Sequence, residues 1–212
     1  MLPRASLPDL GTPAVTTSHD PIVVADAGPL IRLAAAGLLD AIRLTNRQVV
    51  IVERIEEDLC GDRTKPFAAE IADWIDRMGP AIRHAETLEG IAIQALRARA
   101  ATPEDVMTLK RKLRDSGERA IREYVESIAA RDADQALVLY EDGNIPKLMQ
   151  AASVPLTMMT TRAFAHLLTE RGYNPDAERV LEAIRGAYNL KPSSVTRIEP
   201  SFVPDEDDVL DC

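Results

Sequence analysis

Cysteine is nearly missing: Cys60 and Cys212 are the only two in 212 residues. They lie far apart and fit no metal-ligand spacing, which suits a reducing cytosol better than a disulfide-built secreted domain. Aromatic residues make up 4% of the chain, too few for a platform on which bases stack. No apolar run approaches the ~20 residues of a bilayer span, so no membrane partner is expected. The first twenty residues hold three prolines and no apolar signal core. They are expected to form a mobile N-terminal arm over 1–20 and not a secretory signal. Positive charge is also lacking. A net charge of −9 argues against a sequence-blind nucleic-acid coat. It leaves open an enzyme that meets nucleic acid through a metal, because a metal site is itself built from carboxylates. No glycine-rich loop follows any strand-like run, which counts against a phosphate- or nucleotide-binding regulator.

What is present is a 46% hydrophobic chain, long enough for one packed domain. "PIVVA" (21–25), "QVVIV" (48–52), "ALVLY" (136–140) and "PLTMM" (155–159) read as four short buried strands. Between them lie helical patterns at 29–44, 53–59, 65–78, 86–100, 103–114 and 116–130, with "IPKLMQAA", 160–172 and 176–188 further on. Thr102 is a candidate N-cap, with Pro103 and Asp105 at the first and third helical positions. Trp74 and its apolar neighbours read as core. His19, His84 and His166 show no metal spacing, and Cys60 reads as a buried small hydrophobe. Strands without polar alternation, separated by helices, imply a parallel sheet covered on both faces. The expected fold is therefore α/β: a three-layer α/β/α domain over 21–189 with a central parallel sheet. The stretch 79–115 is expected to be inserted helices, and 190–212 an acidic tail ending in "PDEDDVLDC".

Ligands of such sheets bind beyond the carboxyl ends of the strands. Asp26 stands at one such end. Glu56, Glu57 and Asp58 follow the second strand. Glu118 opens the 116–130 helix, beside its apolar stripe of Ile121, Tyr124, Val125 and Ile128, while Glu123 and Glu126 point away from it. Asp142 follows "ALVLY", next to Glu141. Carboxylates converging at one sheet end repel, and some must stay protonated unless a cation joins them. Mg²⁺ and Mn²⁺ take such oxygen ligands and suit phosphodiester hydrolysis. Each acid also has a plainer reading. Asp26 can cap a helix, Glu118 can complement a helix dipole, Asp142 can shape the turn "EDGN", and 56–58 can be a solvated face.

Taken together, these segments resemble the PIN-domain ribonucleases over about residues 21–172. "IVVADAGPLIRLAAAG" is similar to their first strand and helix, with the opening acid at Asp26. "SGERAIREYV" resembles the segment that carries the next acid in one branch, here Glu118. "ALVLYEDGNIPKLMQAASVPL" looks like the strand ending in paired acids, and "MTTRAFAHLLTERG" like the closing strand and helix. The chain departs from the pattern in two places. Asp58, a shorter acid, stands where the family usually carries glutamate, and 79–115 is longer than a compact member needs.

The resemblance implies a Mg²⁺- or Mn²⁺-dependent endoribonuclease of the cytoplasm, a bacterial toxin neutralised by an antitoxin protein. Asp26, Glu118 and Asp142 would hold the metal. Asp58 would support it, with Glu57 and Glu56 as alternatives for that second acid. Thr161 would position water or the phosphate. RNA contacts are expected from Lys110, Arg111, Lys112 and Arg114 in "LKRKLR", against the plainer reading of a solvated helix face. A homodimer is left open. The rival expectation is a non-catalytic module of the same fold that binds RNA or protein.

Overall fold

The computed structural model describes residues 21–128, 135–149 and 154–199. The expected N-terminal arm and the end of the acidic tail, from residue 200, lie outside them. Among the described residues six strands form one sheet: β1 (Ile22–Ala25), β2 (Gln48–Val52), β3 (Ile82–Ala85), β4 (Ala136–Tyr140), β5 (Leu156–Thr160) and β6 (Val195–Ile198). Their order is β3-β2-β1-β4-β5-β6. The first five pair in parallel, and β6 runs antiparallel to β5. Every residue of β1 and β4 is buried, as β-branched and leucine-rich runs covered on both faces must be. The three-layer α/β/α expectation holds.

The helices are α1 (Ala27–Ala35), α2 (Glu53–Cys60), α3 (Ala68–Met78), α4 (Leu88–Arg99), α5 (Pro103–Leu113), α6 (Ser116–Ser127), α7 (Ile145–Leu148), α8 (Thr161–Glu170) and α9 (Ala177–Tyr188). α1 is shorter than the expected 29–44 helix. Gly37 takes a positive φ of 66°, and the chain continues as a 3-10 turn over Leu39–Thr45. The 103–113 helix starts as its sequence implies, with a capping box in which Thr102 and Asp105 satisfy each other's amides. Trp74 is fully buried, and its indole N–H donates to Asp40. Residues 129–130 of the expected 116–130 helix and 150–152 of "IPKLMQAA" lie outside the described residues.

Two strands were not expected. β3 lies inside 79–115, so that stretch is a sheet edge followed by two helices and not helices alone. Its "IRHA" has only two apolar positions, because an edge strand buries little. β6 lies inside 190–212, so the chain past 190 first returns to the sheet. Its alternating exposed and half-buried residues are again those of an edge.

Sequential strands step from β1 to β2 to β3 in one direction and from β4 to β5 in the other. The direction of winding therefore reverses between β1 and β4. In open parallel sheets such a reversal, beyond the carboxyl ends of the two strands, is the place where ligands bind.

Candidate functional site

Asp26 is the first residue past β1, and its backbone N–H donates to the Leu139 carbonyl of β4 at 3.0 Å. The strand pairing that holds the sheet together thus places Asp26 at the reversal. It occupies the N-cap position of α1, where the Ala27 and Gly28 amides face its carboxylate. The third helical residue is Pro29, which has no N–H to offer, so only the first two amides of α1 can meet the carboxylate. Burial pushes the Asp26 carboxyl up to about 6, and Asp142 adds to the rise. The Ala27 and Gly28 amides and the Arg32 guanidinium pull the other way.

Glu118 lies in the first turn of α6 and belongs to the same site. Burial, the charges of Asp142 and Asp26, and a hydrogen bond to Asp142 raise its carboxyl to about 7. Asp142 is exposed and sits two residues past β4. One of its carboxylate oxygens, Oδ1, accepts the Asn144 N–H at 2.8 Å. The turn role and the site role coexist, because that bond occupies one oxygen of two.

Glu141, one residue earlier, turns inward. It is 5% exposed. Its two oxygens accept the Thr161 N–H at 3.2 Å and the Lys191 N–H at 3.1 Å, and Arg32 Nε stands 3.7 Å away. Glu141 therefore ties the start of α8 and the approach to β6 to the end of β4. Gly28 is needed for this closeness: a Cβ there would lie 3.0 Å from Glu141 Cβ and 3.1 Å from Arg32 Nη1. Thr161 is completely buried beside this carboxylate, with a hydroxyl that finds no partner among the described residues.

The second-strand acids sit differently. Arg54, the second residue of α2, is 1% exposed. Its guanidinium donates to Ser116 Oγ at 3.1 Å, to Asp58 at 2.8 Å and to Glu57. Glu57 also pairs with Arg97 of α4, and Glu56 meets His84 of β3 at 2.7 Å. Each of the three candidate acids thus has a cation or an imidazole beside it. Asp58 flanks the start of α6, its Oδ2 3.6 Å from where a Cβ on Gly117 would stand. The sequence pattern hides Arg54, because an arginine beside Ile55 in an acidic helix looks solvated. Glu123, on the side of α6 away from its apolar stripe, has a role the pattern does not show. Glu123 accepts the Leu88 and Glu89 N–H groups at 2.5 and 2.9 Å and so helps cap α4.

Lys110, Arg111 and Lys112 are exposed at the end of α5, and Arg114 follows as its C-cap. There the cations complement the carboxyl end of the helix dipole. His166 bridges Glu170 and Glu178, both at 3.0 Å.

The site thus joins Asp26, Glu118 and Asp142 from three separate elements, with Arg32 at its edge. As placed, no three His, Cys, Asp or Glu side chains among the described residues converge on a single ion position. The donor chemistry nevertheless suits a hard cation. It offers oxygen donors only, and two of its carboxyls are pushed toward neutral pH by burial and by their neighbours, a conflict that a divalent charge relieves. No family model, no curated protein and no solved structure matches this chain.

Proposed function

We propose that this protein is a divalent-metal-dependent endoribonuclease of the PIN-domain kind, acting beyond the carboxyl ends of β1 and β4. The single observation that carries this reading is the gathering of Asp26, Glu118 and Asp142 at the point where the sheet winding reverses, with the Asp26 and Glu118 carboxyls raised by burial and by their acidic neighbours. Structural carboxylates are normally paired with cations, as Glu57 and Asp58 are here with Arg54. Buried acids left beside other acids, as Asp26 and Glu118 are, are a cost to folding that a functional site explains.

Asp26, Glu118 and Asp142 would hold Mg²⁺ or Mn²⁺. The bound cation supplies a water of lowered pKa and charge neutralisation on the scissile phosphodiester. Arg32, at the rim, would meet a phosphate oxygen. Glu141 keeps Arg32 and α8 in place. Asp58 stays with Arg54 and would act on the site only through its position beside the α6 turn. The same reading makes the protein a toxin of the cytoplasm, held inactive by an antitoxin protein.

A second reading, a non-catalytic RNA- or protein-binding module, draws on one observation. The second-strand acids are committed to Arg54, Arg97 and His84, so the acid set is smaller than a four-carboxylate centre. One experiment separates the two: cleavage of labelled RNA with Mn²⁺, with Mg²⁺ and with a chelator, for the parent and Asp26→Asn. The nuclease reading expects metal-dependent cleavage by the parent and a drop of roughly 10²-fold or more in the folded variant. Cleavage that is absent under every condition, with RNA binding retained, favours the binding module. Full activity of folded Asp26→Asn removes the proposed site.

A further inference from the structure

α4 is apolar on two opposite faces yet lies on the surface. Inward it buries Gly90 and Ile93. Outward it exposes Leu88, Ile91, Ala95 and Ala98, spaced three, four and three residues apart, with Leu88 73% and Ile91 55% exposed. That spacing is the seam of a helix that packs against another helix. A helix with an apolar stripe on each side is normally covered on each side. α5, which packs on α4, buries none of its own residues and exposes Val106 and Met107. Single exposed apolar residues are ordinary, but a continuous stripe along one helix, with two more exposed apolar residues on the helix packed against it, is not.

We propose that the outer face of α4 is a two-fold interface between two copies of this chain, with the α4 helices packed antiparallel. The stripe is complementary to itself. Its large residues lie at the amino end and its alanines at the carboxyl end. A two-fold axis near residue 93 sets Leu88 opposite Ala98 of the second copy and Ile91 opposite Ala95, so large side chains enter the space that small ones leave. Charge follows the same symmetry. Glu86, just before the helix, and Arg99, its last residue, are both exposed, and neither has an ion-pair partner among the described residues. The antiparallel arrangement brings each Glu86 to the Arg99 of the other copy. The two helix dipoles also oppose. A twelve-residue helix is only ~18 Å long. The exposed part of α5 widens the interface toward the ~800 Å² per partner that a stable dimer needs. The inference is independent of the acidic site, since no residue of the stripe belongs to it.

Sedimentation equilibrium of the full chain, from nanomolar to tens of micromolar, tests it. The parent is expected to pass from monomer to dimer in that range, and Ile91→Glu to remain monomeric with unchanged far-UV circular dichroism. Ala95→Glu, at a second exposed helical position, repeats the test should Ile91→Glu fold poorly. Glu86→Arg and Arg99→Glu singly are expected to weaken association about fivefold or more, and the double variant to restore it to within about twofold. A monomeric parent at every concentration, as when the chain's own terminal segments cover α4, overturns the proposal. So does a dimer that Ile91→Glu and Ala95→Glu leave intact. Failure of the charge-swapped double variant to recover overturns the antiparallel register.

Discussion

Glu118, in the first turn of α6, lies against Asp142, past the end of β4, and burial together with that neighbouring carboxylate holds the Glu118 carboxyl up at about 7. Asp26 adds to that rise, and the cation found beside the group, Arg32, acts on Asp26 and is already turned to Glu141 and the Gly28 carbonyl.

One consequence is a dependence of stability on pH with an unusual sign. Folding raises Asp26 from 3.8 to about 6 and Glu118 from 4.5 to about 7. The folded state therefore binds these protons more tightly than the unfolded chain does. Stability from these two groups is highest at low pH and falls as pH rises through the window from about 4 to 7. In metal-free buffer, Asp26→Asn is expected to match the parent near pH 4 and to exceed it at pH 8 by roughly 2 kcal/mol, read by urea denaturation. A parent more stable at pH 8 than the variant would show that the site carries no such repulsion.

Divalent cations should reverse that penalty. A ligand that binds only the native state stabilises it, by about 2.7 kcal/mol at a concentration a hundred times its Kd. Mn²⁺ is expected to raise the melting temperature of the parent and to leave the triple variant Asp26→Asn, Glu118→Gln, Asp142→Asn unmoved. Without metal, the triple variant is expected to melt higher than the parent. Equal shifts in both proteins would place the ion elsewhere.

Arg54 makes a prediction about architecture. It is buried and holds Ser116, Glu57 and Asp58 at once, joining α2 to the start of α6. Removing one partner of a buried charge network leaves the others uncompensated. Arg54→Met is therefore expected to destabilise the protein by about 3 kcal/mol, visible as a lower urea midpoint. A change within about 0.5 kcal/mol would mean that the exposed sides of Glu57 and Asp58 are solvated well enough to stand alone.

The basic end of α5 yields a prediction in salt. Changing Lys110, Arg111, Lys112 and Arg114 to Gln is expected to weaken RNA binding most at low salt and to flatten its salt dependence. Every phosphate that the variant no longer neutralises takes about 0.7 of a unit from the slope for a single strand. Binding curves at several salt concentrations read this directly. Unchanged binding together with escape from an inhibitory partner would assign the patch to that partner. If neither changes, the cations serve only the helix end.

The sequence by itself determined the layers and the outline of the site. Short β-branched runs alternating with amphipathic stretches can bury their apolar surface only as a covered parallel sheet, so β1, β2, β4, β5 and their helices follow from local pattern. A carboxylate directly after a buried strand, as at Asp26, and one in the first turn of an apolar-striped helix, as at Glu118, have positions that the chain itself dictates. Tertiary structure decided the rest, because it depends on partners distant in sequence. β3 and β6 are strands only because the sheet offers them an edge, and edge pairing leaves little hydrophobic signature. Asp58 turns to Arg54 rather than to Asp26 because a buried guanidinium four residues back offers a stronger and nearer partner than the acidic site does. Glu141 and Asp142 are neighbours of like charge, yet one folds inward onto the Thr161 and Lys191 amides while the other faces solvent and Glu118. Alternation past a strand end sends consecutive side chains to opposite sides, and only the packed neighbours decide which side is the core.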